Sequence, residues 1–150
     1  YEGRFCIEPG RYIAAECGVL LGRVHAIKSN GDNLYAGTDI GFNQLMRPVL
    51  YDAYHDIEIF RENGKPDAVA VEQTVGNICE SGDILAKKRP LPLLREGDVL
   101  AVLDAGAYGF VMASDYNQRP RPAEVLIGAD GMARLIRRRE TFDDLTATLV

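Results

Sequence analysis

Long hydrophobic runs, an excess of positive charge and paired cysteines are all missing from this sequence, and each absence argues against a class of protein. No apolar run approaches the roughly 20 residues of a membrane-spanning helix, and the first residues lack the layout of a secretory signal peptide. The 150 residues carry a net charge of −5, and the short basic cluster at 137–139 lies close to acidic residues. We therefore expect neither a membrane nor a nucleic acid as a partner.

Cysteine and histidine are scarce, which bears on compartment and on metal binding. The three cysteines at 6, 17 and 79 are odd in number and form no CxxC pair, so reduced thiols in a cytoplasm are expected. The two histidines, His25 and His55, are far apart in the sequence and have no ligand spacing around them, so we expect no metal site. The sequence starts at a tyrosine with strand-like residues, and we interpret it as a piece of a longer protein.

The chain is long enough for one domain with a hydrophobic core, and its patterning is that of a mainly β protein. Seven to nine short strands at a spacing of about 8–12 residues, with few helices, predict an antiparallel sandwich or barrel. The predicted strands are residues 4–7, as the end of a buried strand, 19–28 with 34–39 as a hairpin, 57–61, 68–77, 84–94 as an exposed edge, 99–104, and 123–127 with 133–137 as a second hairpin.

The connections carry turn and helix signals. A turn is predicted at 62–67, single helical turns at 12–17 and 111–114, and a capped helix from Thr141. The stretch 41–55 has no period of two, and Pro48 is predicted to interrupt it.

The stretch 76–83, with the sequence GNICESGD, is the densest in chemically active side chains. A thiol, two carboxylates and a hydroxyl occur within five residues after an apolar strand, in a loop that contains two glycines, which let a backbone turn tightly or approach a ligand. Loops that project from a rigid sheet often carry reactive side chains. On these residues alone, Cys79 is either a reactive thiol or a half-buried packing thiol.

Three further segments are candidates for a binding site. Glu8 and Arg11 flank a Pro-Gly turn at a predicted strand end, Arg47 is followed by three aromatic rings, those of Tyr51, Tyr54 and His55, and Tyr108 stands among small residues. Each has a plain structural alternative, respectively a salt-bridged turn, a packed loop, and a tyrosine hydroxyl that caps a local carbonyl. The residues by themselves leave these alternatives open.

Five motifs together resemble one family. They are EPGR at 8–11, RPVLYDAYH at 47–55, CESGD at 79–83, DAGAYG at 104–109 and RPRPAEV at 119–125. In this order, over nearly the whole chain, they are similar to the C-terminal portion of the diaminopimelate decarboxylases, which are fold-type III pyridoxal-phosphate-dependent enzymes.

The resemblance implies a two-domain parent enzyme like alanine racemase and ornithine decarboxylase, with a TIM-like barrel followed by a Greek-key-type β-barrel. Residues 1–17 would be the last strand and exit turn of the TIM-like barrel, the rest of which is missing. Residues 18–150 would be the C-terminal β-barrel. The implied reaction converts meso-diaminopimelate to L-lysine and carbon dioxide in lysine biosynthesis.

The resemblance also implies roles for particular residues. Glu8 would face the pyridine nitrogen of pyridoxal phosphate, and Gly10, Arg11 and Tyr108 would bind the cofactor with it. Cys79 would be the general acid that returns a proton to the α-carbon.

The substrate would be held at its far end. Its distal carboxylate would bind Arg11, Arg47 and Tyr51, since a guanidinium fork suits two oxygens. Glu80 would take the distal ammonium, and Tyr108 would also lie against the substrate.

Two consequences of the resemblance concern the whole protein. The loop of Cys79 and Glu80 would reach across a homodimer interface into the neighbouring active site. The cofactor-binding lysine of this family lies in the N-terminal barrel, so this polypeptide alone is expected to be inactive and to hold the cofactor weakly or not at all. One departure is Ile40, where the family commonly has a small residue.

Two rival interpretations are kept. An ornithine or arginine decarboxylase would share the segments around Glu8 and Tyr108, but it binds a distal amine and does not need Arg47. A β-barrel used only for association would carry the loops as interface residues. A thiol hydrolase is disfavoured, because nothing in the sequence places His25 or His55 near Cys79.

Overall fold

The computed structural model describes residues 2–61 and 69–150. The turn predicted at 62–67 and the first residue of the strand predicted at 68–77 lie outside the described residues. No helix in the described part of the chain is long and apolar enough to cross a membrane.

A six-stranded sheet dominates the fold. Its strands are β1 Leu20–Asn30, β2 Asn33–Thr38, β3 Ile57–Phe60, β4 Val69–Val75, β5 Ile84–Pro92 and β6 Val99–Val102. Their spatial order is β3-β6-β1-β2-β4-β5. The predicted hairpin of β1 and β2 is confirmed, with Gly31 in the left-handed conformation that its tight turn requires.

Strand direction departs from the prediction at one place. Neighbours in the sheet are antiparallel except β2 and β4, which run parallel with Leu34 opposite Glu72. After β2 the chain first forms β3 at the opposite edge of the sheet. It then returns as β4, which lies beside β2 and runs in the same direction. A purely antiparallel sheet is therefore the wrong description, while the mainly β fold is confirmed.

The remaining elements are short. They are the helices α1 Arg11–Ala14, α2 Arg47–Tyr51 and α3 Phe142–Thr146, the 3₁₀ turns Ala15–Cys17, Phe110–Met112 and Tyr116–Gln118, and the hairpin of β7 Glu124–Ile127 with β8 Ala133–Arg137. The capped helix from Thr141 is confirmed, because Thr141 and Asp144 form a capping box. Pro48, predicted to interrupt its stretch, instead lies in the first turn of α2, where its missing N–H is not needed.

The sheet curls around one core, as expected for a barrel-like domain. Side chains from both edge strands and the centre meet in one cluster, including Ile57, Leu85, Leu91 and Leu100. Ile40 belongs to this core and lies so close to Gly22 that a Cβ there would be 2.4 Å from its Cγ1. A large residue at position 40 is therefore accommodated by a glycine on β1.

Arginine side chains bridge the gap between the edge strands β3 and β5. Arg89 of β5 donates to the carbonyl of His55 at 3.0 Å, and Arg61 after β3 donates to the carbonyl of Leu93 at 3.0 Å. These bonds join the two ends of the curled sheet without backbone pairing.

The segment before α1 differs from the prediction. Residues 4–7 form no strand, and Phe5 and Ile7 are 85% and 84% exposed. A strand needs a neighbour for its backbone groups, and no described strand pairs with this segment. The predicted domain division after residue 17 stays a prediction.

Candidate active site

The loop between β4 and β5 is held in place by Asp83. Its side chain is 4% exposed, and its carboxylate accepts hydrogen bonds from the backbone N–H groups of Phe42 at 2.7 Å and Ile78 at 3.0 Å. A Cβ on Gly76 would lie 2.1 Å from this carboxylate, and one on Gly41 would lie 2.5 Å from it. Both glycines are therefore required for the buried carboxylate to fit.

This anchoring leaves Cys79 and Glu80 at the loop surface. Cys79 is an exposed free thiol, so it is not a half-buried packing thiol in this chain. The Glu80 carboxylate accepts from the backbone N–H of Gly82 at 3.0 Å and from the hydroxyl of Tyr116 at 3.3 Å. The loop therefore presents a thiol and an oriented carboxylate together.

A second group of candidate residues meets at the start of α1. Gly10 lies directly against Tyr108, because a Cβ on Gly10 would be 2.3 Å from the phenol oxygen. Tyr108 has a left-handed backbone, with a φ of 59°, which is strained for a bulky residue and is typical of functional loops. In the described residues its hydroxyl caps no carbonyl, so that alternative is not supported.

Backbone hydrogen bonds fix this contact between the two loops. The N–H groups of Ala105 and Gly106 donate to the carbonyls of Gly18 at 2.8 Å and Ala15 at 3.0 Å. A Cβ on Gly106 would be 2.0 Å from the carbonyl oxygen of Ala14. The segment that carries Glu8, Gly10 and Arg11 is thus joined to the loop that carries Tyr108.

Arg47 is the buried cation of this second group. The residue is 9% exposed, and its Cζ lies 5.7 Å from the ring centroid of Tyr51 and 5.8 Å from that of Tyr108. Its Nε is buried without a hydrogen-bond partner, and no carboxylate among the described residues forms an ion pair with it. The loop is therefore packed, and its arginine is also a cation placed between two phenol rings.

His55 is buried beside the same cations. It is 3% exposed, and its Nδ1 lies 2.8 Å from the Leu103 carbonyl oxygen, so Nδ1 carries the proton and donates. Burial lowers the pKa of His55 below its usual range, and the charges of Arg47 and Arg11 lower it further, against the raising effect of the Leu103 bond. The imidazole is therefore neutral near pH 7, with Nε2 as an unpartnered acceptor.

The structure thus brings together some predicted residues and separates others. Gly10, Arg47, Tyr51 and Tyr108 form one group of contacts, and Glu8 and Arg11 are exposed next to it. Tyr54 does not join them, because its ring stacks on Arg89 with the guanidinium carbon 3.6 Å from the centroid.

The loop of Cys79 and Glu80 makes no hydrogen bond, ion pair or ring contact with that group in the described part of the chain. The loop lies near α2 at Gly82, where a Cβ would be 3.3 Å from a methyl carbon of Val49. In one protomer, the two groups are therefore neighbours along α2 rather than a single cluster.

Sequence reasoning missed the residues that support the Cys79 loop from outside. Tyr116 bonds to Glu80 and its ring packs on Phe42, while Arg119 donates to the carbonyl of Asn77 at 3.1 Å. Arg119 opens the RPRPAEV motif, and Asn117 is a residue type that tolerates the left-handed conformation seen there, but neither signal indicates a contact with this loop. No group of three or more His, Cys, Asp or Glu side chains suited to a metal occurs in the described residues.

The curled sheet with functional loops at its strand ends defines a β-sheet domain that contributes side chains to a binding site. Comparison with known proteins gives its family. Residues 11–106 match the family described as "Pyridoxal-dependent decarboxylase, C-terminal sheet domain". The chain belongs to that family.

Similar proteins carry a more specific name. The diaminopimelate decarboxylase of Methanothermobacter thermautotrophicus is 49% identical over 140 residues, which are 93% of this chain and 32% of that protein. A crystal structure of diaminopimelate decarboxylase from Methanocaldococcus jannaschii in complex with L-lysine has a TM-score of 0.88 at 43% identity, covering 95% of this chain and 32% of that one. The chain spans about a third of the length of the curated relatives it matches.

A relative with a different substrate is less similar. A lysine/ornithine decarboxylase from Vibrio vulnificus, in complex with cadaverine, has a TM-score of 0.65 at 25% identity, covering 76% of this chain and 31% of that one.

Proposed function

We propose that this chain is the C-terminal part of a pyridoxal-phosphate-dependent carboxy-lyase that converts meso-2,6-diaminopimelate to L-lysine and carbon dioxide in the cytoplasm. Family membership and the names of the similar proteins support the reaction. The observation that carries the substrate assignment is Arg47, which is buried between two tyrosine rings with no acidic partner among the described residues.

A buried guanidinium without a counter-ion is energetically unfavourable, because desolvating a charge costs several kcal/mol. A ligand carboxylate would offset this cost through charge-assisted hydrogen bonds to the guanidinium fork. Diaminopimelate has such a carboxylate at its distal end, whereas ornithine, arginine and lysine have only a cationic group there. Arg47 therefore favours the diamino diacid.

Other side chains would complete the recognition of the far end. Arg11 adds a second positive charge near His55, and Tyr51, whose ring centroid lies 5.7 Å from the Cζ of Arg47, would contribute its hydroxyl. Glu80 would bind the distal ammonium. The substrate would thus be recognised by charges of both signs, which discriminates against a plain diamine.

The residues present also fit the cofactor. The absent Cβ of Gly10 lets the phenol oxygen of Tyr108 approach the backbone two residues after Glu8, so a donor lies at the turn that follows this carboxylate in the chain. Glu8, Gly10, Arg11 and Tyr108 would hold pyridoxal phosphate, with Tyr108 at the phosphate and Glu8 at the pyridine nitrogen. When bound, this group supplies the electron-withdrawing ring on which decarboxylation depends.

Cys79 would act on the proton. Its thiol is exposed on a loop fixed by Asp83, and the Sγ–H would donate to the α-carbon after carbon dioxide leaves. We further propose that the enzyme is a homodimer in which this loop completes the neighbour's site, without nucleic acid or membrane as a partner. The chain alone would be inactive, because the cofactor-binding lysine belongs to the N-terminal barrel.

The test is a substrate panel on the full-length enzyme and two variants. We expect turnover of meso-diaminopimelate to exceed that of ornithine and lysine. Arg47→Met should lower kcat/KM for meso-diaminopimelate by about 100-fold, the loss of a charge-assisted bidentate contact. Arg23→Met, which replaces an exposed arginine on β1, should leave it unchanged. Higher turnover of ornithine, or an unchanged Arg47→Met enzyme, would overturn the assignment.

A further inference from the structure

The residue that holds Glu80 from outside its own loop is Tyr116. The Tyr116 hydroxyl donates to one carboxylate oxygen of Glu80 at 3.3 Å, and the backbone N–H of Gly82 donates to the other at 3.0 Å. Two donors on different oxygens restrict rotation of the carboxylate plane. Glu80 is exposed, so its carboxylate can accept further hydrogen bonds from a ligand.

Packing fixes Tyr116 itself. Its ring lies against that of Phe42, with a centroid distance of 5.5 Å and an interplanar angle of 58°, a tilted geometry that aromatic pairs favour. The backbone N–H of Phe42 bonds to Asp83 at 2.7 Å. One residue, Phe42, therefore supports both the base of the Cys79 loop and the tyrosine that contacts its tip.

The chain after Tyr116 also contacts the Cys79 loop. Asn117 and Gln118 have left-handed backbones, with φ of 56° and 58°, and for the glutamine this conformation is strained and persists only where surrounding contacts impose it. The turn they make directs Arg119 to the carbonyl of Asn77 at 3.1 Å. The segment 116–119 thus forms hydrogen bonds with the loop on both sides of Cys79, at Asn77 and at Glu80.

A carboxylate that is already oriented loses less rotational freedom when it binds a cation. A free glutamate on an exposed loop would have to be ordered by the substrate itself. Orientation of Glu80 by Tyr116 would therefore affect the binding of a cation rather than proton transfer by Cys79.

We propose that Tyr116 is a positioning residue that sets the affinity of the site for the distal ammonium by orienting Glu80. This role rests on the proposed function, in which Glu80 binds that ammonium. Tyr116 touches neither the reacting carbon nor the cofactor in this assignment.

The experiment compares Tyr116→Phe with Tyr54→Phe in the full-length enzyme. Tyr116→Phe removes the hydroxyl and keeps the ring that packs on Phe42. Tyr54→Phe is a matched control, since it removes a hydroxyl with a 3.3 Å hydrogen bond to Asp56 outside the site. We expect Tyr116→Phe to raise KM for meso-diaminopimelate about five- to tenfold with kcat changed less than about twofold, the size of one lost hydrogen bond. Tyr54→Phe should change neither.

A double-mutant cycle with Glu80→Ala separates the possible failures. When Glu80 is absent, Tyr116→Phe should add nothing to KM, because the two residues act as one unit. If Glu80→Ala raises KM but Tyr116→Phe does not, or if Tyr116→Phe has its full effect without Glu80, the positioning role is refuted while the proposed function stands. If Glu80→Ala itself leaves KM unchanged, both the role of Glu80 and that of Tyr116 are wrong.

Discussion

His55 is a buried imidazole surrounded by charges from several elements. Arg11 of α1 and Arg47 of α2 disfavour its protonation, and Asp104 after β6 favours it less strongly. The backbone carbonyl of the same residue accepts from Arg89. Through its backbone carbonyl and its Nδ1–H, this residue links β5 to the chain just after β6, and its buried ring is neutral near pH 7.

This gives a pH dependence with a definite sign. Because the folded-state pKa of His55 is lowered, the unfolded chain takes up a proton below about pH 6.5 that the folded chain does not. Stability contributed by neutral His55 is fully present above that pH and is lost as the pH falls below it. We expect a loss on the order of 1 kcal/mol between pH 7 and 5.

The measurement is the thermal midpoint of the full-length protein across this range. His55→Gln should flatten the profile, and His25→Gln, at an exposed position on β1, should not. An equal slope in the wild type and in His55→Gln would contradict this account.

Cys79 is exposed, so its side chain contributes little to the packing of the fold. Cys79→Ala in the full-length enzyme should therefore leave the thermal midpoint unchanged within about a degree, as for surface substitutions in general. Turnover should fall by about 100-fold or more, the contribution of a positioned general acid. An unchanged rate would show that Cys79 is a surface residue and not the general acid.

At the scale of elements, β3 is held to the turn before β6 by a buried ion pair. Arg61 donates to both oxygens of Asp98 at 2.7 and 2.5 Å, and the backbone N–H of Arg95 donates to Asp98 at 2.9 Å. The bonds from Arg61, more than any other cause, lower the pKa of Asp98. This carboxylate therefore stabilises the fold in its ionised form.

Its contribution should be present above about pH 3.9, the unfolded value, and should be lost as the pH falls through the lower folded value. At pH 7 we expect Asp98→Asn to lower the free energy of unfolding by about 2–3 kcal/mol, and the difference from wild type should shrink toward pH 3. Chemical denaturation at both values checks this. Asp32→Asn, in the exposed β1–β2 turn, provides the control, and a pH-independent difference would argue against the ion pair.

The elements also show what the sequence could predict. Alternating patterns and turn residues correctly predict the β1–β2 and β7–β8 hairpins, and local spacing correctly predicts the cap at Thr141, because all of these depend on residues close in the chain. The parallel pairing of β2 with β4 was not predictable, since it depends on where β3 lies in space.

In the candidate site, too, the features set by nearby residues were predictable and those set by the tertiary arrangement were not. The motifs indicate which loops carry reactive side chains, and in the structure the segments of Gly10, Arg47 and Tyr108 lie against one another. The support by Tyr116 depends on left-handed dihedrals at 117–118, which no periodicity reveals. Residues 4–7 look like a strand because residues 5–7 are apolar, but apolarity does not supply a pairing partner.

At the scale of the whole molecule, the separation of the Cys79 loop from the Arg47 group suits a site built from two protomers. Each C2-related site would take Arg47 from one subunit and Cys79 from the other. Variants in the two groups should therefore complement each other.

Co-expression of Cys79→Ala and Arg47→Met subunits with different tags would give a purified mixed dimer. One of its two sites carries both substitutions and the other carries neither, so about half of the wild-type activity should return. Each variant alone should remain inactive. A mixed dimer as inactive as its parents would show that both residues act within one subunit.

The position of β6 has a consequence for biogenesis. This strand lies between β1 and β3, so both wait for residues 99–102 before their inner edges are hydrogen-bonded. Translation from Phe60 to Val99 takes about two to eight seconds at 5–20 residues per second, and in that interval two nascent strands have open edges. A ribosome stalled between those codons would therefore expose a polypeptide prone to aggregation, and chaperone occupancy should be highest there.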